Sequence, residues 1–446
     1  MTVVNRSLRW EIEDQMKQHG YNINQLAELT GINPGNLSMA LNGISRSLTI
    51  NQLDALGKLF GKVPGWLYEL YTEECISEEK LSRPRLVPYL VRCAEVGRND
   101  CIDAVVSKIL DSQRNVNIIY SAAEKLFHKG KHKQSEGFYE LVVENVKDSF
   151  SEMLSMSHYR LFTIAIQGTD AEKNWKAVIR FDPFRNRLPE NYQLDAVFQL
   201  ARVCYSLKKW VEVEKYAGEL EVLSTTLCSE EVAPKRHPVY YYGMAFLYKG
   251  LVLERRGFYE QSKKYVENYA NLEWFEPLDE AGQKEVEQFK IWGKANLYTL
   301  EVLSGNESII NEYADYLASL NRLNDVVAGL NAILASANMY KFNVDHVLTR
   351  FAGSIGRFDL FNHDPILSER HLRYRYSRAI YEFSNGRIQE GLDETLRCIS
   401  LAKNMKRYED GFQCVALFET YRERASAQQL KTYRSAMRVR EEVFLE

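Results

Sequence analysis

"LAELTGINPGNLSMALNG", from Leu26 to Gly43, decides the fold of the N-terminal region. Its apolar residues and glycines are spaced for two short helices joined by a sharp turn. The centre, Asn33-Pro34-Gly35-Asn36, places proline and glycine where the second helix should begin. Asn33 resolves the conflict, because its side-chain oxygen can cap that helix. Pro34 then takes the first helical position, where the missing N–H is not needed. Gly35 and Asn36 occupy the first turn. Leu37 and Leu41, four apart, face inward with Ala40, while Asn36, Ser38 and Met39 face elsewhere. Gly31 ends the preceding helix in the left-handed conformation that glycine enters at low steric cost. Gly43 stops the second helix.

Working outward, Leu8, Ile12 and Met16 recur every four residues beside Trp10 and predict a first helix ending near Gly20. Asn22 is suited to cap the helix that carries Leu26, Ala27 and Leu29. A fourth helix is expected after Thr49 (Leu53, Leu56, Leu59, Phe60), and a fifth from Pro64 (Trp66, Leu67, Leu70). This five-helix order resembles the XRE/phage-repressor class of helix-turn-helix domains, on the text "INQLAELTGINPGNLSMALNG…LTINQLDALGKLFGKVPGWLYEL". The resemblance implies that the third helix is a recognition helix for the major groove. Asn33, Pro34, Gly35, Asn36, Ser38 and Met39 would then face base edges, with Asn22 and Asn42 near phosphates. Leu26, Ala27, Gly31, Ile32, Leu37 and Leu41 are framework.

Many members of that class carry glutamine or arginine where Pro34 and Gly35 stand here. Residues 1–76 hold six Lys and Arg against eight Asp and Glu, so phosphate attraction rests on helix N-termini and Arg46. So weakly charged a reader needs two copies at fixed spacing, hence a homodimer. The alternative is a domain that keeps this fold for protein contact.

The whole chain of 446 residues is too long for one ordinary core and implies several domains or a repeat array. With 45% hydrophobic and 26% charged residues, 27 tyrosines and only 10 prolines, its composition suits a folded, mainly helical protein. A net charge of −3 confines any nucleic-acid contact to a local face. Seven scattered cysteines without a C-x-x-C pair read as reduced thiols. No apolar run approaches a membrane span, and MTVVNRSLRWEIED offers no signal-peptide core, so the expectation is a cytoplasmic protein with no membrane contact.

"SEEKLSRPR", residues 77–85, reads as a linker, with Pro84 breaking any helix. Beyond it, "GMAFLYKGLVLERRGFYEQSKKYVENYANL" resembles a tetratricopeptide (TPR) unit. Gly250 sits at the helix crossing, Gly257 at the turn and Ser262 at the small-residue place. The segments around Ala379/Gly391, Ala123/Ser135 and Ala201/Val213 repeat the plan, and weaker copies centre near Gly168 and Gly305. Turns at 130, 168, about 208, 257, 305 and 386 are spaced more widely than a 34-residue repeat, so long helices or insertions are expected.

The predicted architecture is all-α: a helix-turn-helix domain over 1–76, a linker over 77–85, and a TPR-like right-handed superhelical solenoid over 86–446 for peptide binding and dimerisation. The repeat register puts Tyr120, Phe198, Arg202, Tyr205, Leu247, Arg255, Arg373 and Tyr376 on the concave wall, with Asn296, Asn331 and Asn338 near it. Asparagine amides and tyrosine rings there suit an extended peptide, whereas each residue taken singly also reads as inter-repeat core.

Catalytic patterns are lacking. His128 and His132 flank a turn glycine among lysines, "GSIGRF" has no phosphate lysine, and no nucleophile or metalloprotease signature occurs. No cofactor or metal is expected. A helix-turn-helix head before irregular repeats resembles the peptide-pheromone receptors of Gram-positive bacteria and their phages, the RRNPP (Rap, Rgg, NprR, PlcR and PrgX) group with the arbitrium receptors beside it. The resemblance implies a quorum-sensing regulator, a cytoplasmic homodimer that binds double-stranded operator DNA and a short signalling peptide. A TPR protein-docking regulator that sequesters another protein is the alternative.

Overall fold

The computed structural model describes residues 7–42, 48–76, 82–110, 115–148, 150–226, 234–361 and 364–437. Helices and short 3-10 turns account for all regular structure among the described residues, so the fold is all-α. The chain divides into two compact units, Met1–Ile164 and Ala165–Glu446.

The first unit opens with α1 (Leu8–His19), α2 (Ile23–Thr30), α3 (Pro34–Leu41), α4 (Ile50–Leu59) and α5 (Tyr68–Ile76). Their boundaries follow local chemistry. Gly20 and Gly31, both at φ +69°, end α1 and α2. Gln25 and Asn22 form a reciprocal cap at the start of α2, and the Gln52 side chain accepts the Thr49 N–H at the start of α4. Ile12, Leu26, Leu37, Leu41, Leu53 and Leu56 are buried together. The fifth helix begins at Tyr68 rather than Pro64. Gly65 at φ +83° turns the chain first, and Trp66 and Leu67 lie in that turn. Gly43, the expected stop of α3, lies outside the described residues.

α6 (Arg83–Val96), α7 (Asn99–Leu110), α8 (Val116–His128), α9 (His132–Asn145) and α10 (Glu152–Ala165) follow. Two features differ from the sequence expectation here. Pro84 opens α6 rather than breaking it, because the first helical turn has no use for its N–H. Of the expected linker, 77–81 lies outside the described residues, while 83–85 is helical. Compactness also divides the chain well beyond 86, since α6–α9 share one core with α1–α5. Tyr89 packs edge-on to Tyr68 and Tyr71 and donates its hydroxyl to the Tyr68 carbonyl at 2.9 Å. Arg92 pairs with Asp54 at 2.7 Å.

The second unit comprises α11 (Ala171–Phe181), α12 (Glu190–Ser206), α13 (Trp210–Thr226), α14 (Pro238–Arg255), α15 (Tyr259–Ala270), α16 (Glu280–Leu303), α17 (Ile310–Leu320), α18 (Leu323–Tyr340), α19 (Asp345–Arg350), α20 (Ala352–Ile355), α21 (Pro365–Ser384), α22 (Ile388–Asn404), α23 (Tyr408–Thr420) and α24 (Ala427–Met437). The pairs α12–α13, α14–α15, α16–α17 and α21–α22 are helical hairpins. A residue with positive φ stands in each turn: Lys208, Gly257, Gly305 and Gly386. In three places, Ala201/Val213, Gly250/Ser262 and Ala379/Gly391, two buried small or β-branched residues twelve apart bring paired helices together. Ala123/Ser135 does the same for α8–α9 in the first unit. A Cβ on Gly250 would approach the Tyr265 Cβ to 3.3 Å, and Ser262 donates to the Gly250 carbonyl at 2.8 Å.

The wide gap between the turns at 305 and 386 is filled by α18, which packs on α21. Only the short α19, α20 and a 3-10 turn at Phe358–Phe361 stand where a second hairpin helix would be.

The second unit closes on itself. The Ala171 N–H donates to the Met405 carbonyl at 2.9 Å, Lys406 pairs with Asp170 at 2.6 Å, and Lys208 pairs with Asp410 at 2.6 Å. Arg202 pairs with Asp364, and Arg407 donates to the Ser206 carbonyl. These contacts between its early and late helices are hydrogen bonds and ion pairs.

Candidate functional site

On the first unit, α2 and α3 carry the predicted reading face. Asn33 Oδ1 accepts the N–H of Gly35 at 2.9 Å and of Asn36 at 3.3 Å, so this residue is fixed as the cap of α3. Asn22 Oδ1 accepts the Gln25 N–H at 2.9 Å in the same role for α2. Asn42 Nδ2 donates to Ser38 Oγ at 3.2 Å. Asn22, Asn33, Pro34, Gly35 and Asn42 are exposed, and Asn36, Ser38 and Met39 are half-buried. Leu26, Ala27, Ile32, Leu37 and Leu41 are buried, as framework should be. Arg46 lies outside the described residues. The structure thus brings eight predicted residues onto or beside α2 and α3.

On the second unit, a groove of about 600 Å³ runs along the first helices of successive hairpins. Phe198, Arg202 and Tyr205 from α12, Leu247 from α14 and Asn296 from α16 line it, as their repeat register requires. The aromatic wall is continuous, with Phe198 5.3 Å from Tyr240 and Tyr205 5.9 Å from Tyr248.

The other predicted wall residues lie elsewhere. Tyr120 belongs to the first unit, where it packs edge-on to Tyr139 at 6.4 Å. The α8–α9 hairpin shares the repeat plan but feeds the N-terminal core. Asn331 donates to the Val327 carbonyl at 2.8 Å and the Arg370 carbonyl at 3.0 Å, and Asn338 to the Ser377 carbonyl at 2.9 Å. These two amides fasten α18 to α21, and Asn331 spends both its N–H donors within the protein. Asn296 reaches the groove, but its amide donates to the Tyr269 hydroxyl at 2.6 Å. Arg255 lies behind the wall and donates to the Tyr205 hydroxyl at 3.0 Å. Arg373 and Tyr376 line a separate cavity of about 70 Å³ beside the Lys208–Asp410 pair.

Sequence reasoning missed Tyr240, Tyr248, Trp292, Asp325 and Arg370 as groove residues. Tyr240, Met244, Leu247 and Leu251 form a stripe at helical spacing, and that spacing was the available signal. Burial raises the Asp325 carboxyl above its ordinary value, against the pull of Arg322 and Arg370, and its Oδ2 has no hydrogen-bond partner. Asp364 is well satisfied: its Oδ1 accepts the N–H groups of Ile366 and Leu367, both at 2.9 Å.

Among the described residues, no group of three or more His, Cys, Asp and Glu could hold a metal ion, and His128 lies beside Glu124 at 3.4 Å. No described helix is long and apolar enough to cross a membrane. The described cysteines, including Cys93 and Cys398, are buried and form no disulfide among themselves; Cys228 lies outside the described residues.

Residues 11–73 match the family of Cro/C1-type HTH DNA-binding domains. No curated protein matches the chain. The matched span contains α2, α3 and α4 entire, and it points to a transcriptional regulator rather than an enzyme.

Proposed function

We propose that this chain is a cytoplasmic transcriptional regulator that binds operator DNA as a homodimer and is controlled by a short signalling peptide. Residues 1–76 read DNA, and 86–446 carry TPR-like repeats that bind the peptide and dimerise. The observation that supports this is the groove of about 600 Å³, lined by Phe198, Tyr205, Tyr240 and Trp292 with Arg202, Asp325 and Arg370 among them. Its size is that of a ligand site, and its mixture of rings and charges suits a peptide with polar ends or side chains. The peptide acts by binding one arrangement of the helical array better than another, which shifts their populations. Each arrangement sets a different spacing between two DNA-reading heads, and a poor match to the operator half-sites costs affinity.

The test is titration of the full chain with synthetic peptides encoded by short reading frames beside its gene. Operator affinity and solution scattering are followed together. The expected result is a saturable change in both. Unchanged scattering and unchanged operator affinity with every peptide overturn the reading, and a stoichiometric protein partner recovered instead would establish the docking alternative.

A further inference from the structure

α2, the turn and α3, residues 22–42, contain one ionisable side chain, Glu28, and neither lysine nor arginine. Base edges in the major groove sort side chains by chemistry. Guanine takes Arg or Lys at O6 and N7, adenine takes Asn or Gln at N6 and N7, and the thymine methyl takes an apolar contact. The commonest guanine reader is therefore missing from this face.

The hydrogen bonds of α3 narrow the choice further. Asn33 is held by its own helix as a cap, and the Asn42 amide is given to Ser38. Asn36 is different. Among the described residues its carboxamide has no hydrogen-bond partner, and it stands in the first turn of α3. Gly35 beside it is bare, and a Cβ there would sit 3.2 Å from Asn33 Oδ1, so a side chain would press on the cap. Met39, three residues on, shares the face of Asn36 and offers a polarisable apolar tip.

We infer that α3 selects A·T base pairs. Asn36 Nδ2 donates to adenine N7 while its Oδ1 accepts from the N6 amino group, and Met39 packs on the methyl of a neighbouring thymine. This rests on the DNA-reading assignment above and adds the identity of the bases read.

The experiment is selection of duplexes from a randomised library by the full-length chain, followed by base-analogue substitution in the selected half-site. A·T pairs are expected at adjacent positions. Asn36→Ala should lose about five- to 150-fold preference at one of them, with unchanged melting. Replacing that adenine by 7-deazaadenine should weaken the parent chain similarly and leave Asn36→Ala indifferent. Met39→Ala and thymine-to-uracil replacement should give a smaller, mutually redundant loss at the next pair. A G·C pair at the Asn36-sensitive position, or an Asn36→Ala chain that discriminates like its parent, overturns the inference. Failure to enrich any duplex overturns the DNA-reading assignment itself and this inference with it.

Discussion

The α2–α3 face and the groove of the second unit are opposites in chemistry. The face spans 21 residues with a single ionisable side chain, and Asn22, Gln25 and Asn33 use side-chain oxygens to cap its own helices. The groove draws on helices from α12 to α21 and sets Arg202, Arg322, Arg370, Asp325 and Asp364 among aromatic rings. A face with so little charge gains little from counterion release. In the proposed function it reads by shape and amide chemistry, and a second copy supplies the affinity. A groove rich in partly buried charge is costly to leave empty and responds strongly to what enters it.

Four tests, using five variants, break or sharpen that contrast. The largest effect is expected from Leu37→Asp, which puts an unpaired carboxylate into the core behind α3, where Leu37 is 0% exposed. A loss of about 3–5 kcal/mol should unfold the N-terminal helices and abolish DNA binding. Circular dichroism melting that leaves the stability unchanged would contradict the packing described.

Next is Asn331→Ala, which removes the donor to the Arg370 carbonyl of α21 and the bond to the Val327 carbonyl of its own helix, and should cost about 1–3 kcal/mol in chemical denaturation. An unaltered midpoint would release Asn331 from its structural role and return it to the groove. The third test pairs Arg202→Ala with Tyr376→Ala. The first should weaken the binding of an active peptide by tenfold or more in calorimetry, while the second, outside the groove, should change it little. The reverse order would relocate the site.

The smallest effect carries the opposite sign. Asp325→Asn should raise the melting temperature of the ligand-free chain by a few degrees at neutral pH, because burial disfavours the charged form. The raised folded-state value means that charging Asp325 opposes folding above about pH 4. The gain should fade at lower pH, where folded and unfolded carboxyls are both protonated.

The two regions were also unequally legible in sequence. Around α3 every boundary is set by a neighbour within a few residues: Gly31, the Asn33 cap, Pro34, then Leu37 and Leu41 one helical turn apart. Such chemistry is written in order along the chain. The hairpin turns were legible for the same reason, down to the left-handed residues near 208, 257, 305 and 386. The groove was legible only in part, because its register accumulates over helices of unequal length, from the 11 residues of α17 to the 24 of α16.

Asn331 and Asn338 were expected to face a ligand. They face α21 instead, since α18 has no full second helix and α21 covers that side. Tyr120 obeys the repeat plan locally, yet nothing in its surroundings tells which core the hairpin joins. Pro84 shows how local signals mislead. The same residue that breaks a helix interior is welcome in a first turn, and only the position of Ser82 as cap decides between them.

Because the second unit's first helices meet its last through Asp170, Arg202 and Lys208 on one side and Asp364, Lys406 and Asp410 on the other, its copy number is locked. An open array grows or shrinks by duplicating a hairpin, and the new end simply faces water. A closed one that gained a hairpin would separate these ion pairs by the width of two helices and strand both rims. Divergence of this architecture is thereby steered away from duplication, toward point changes in the groove and inserted loops on the outside.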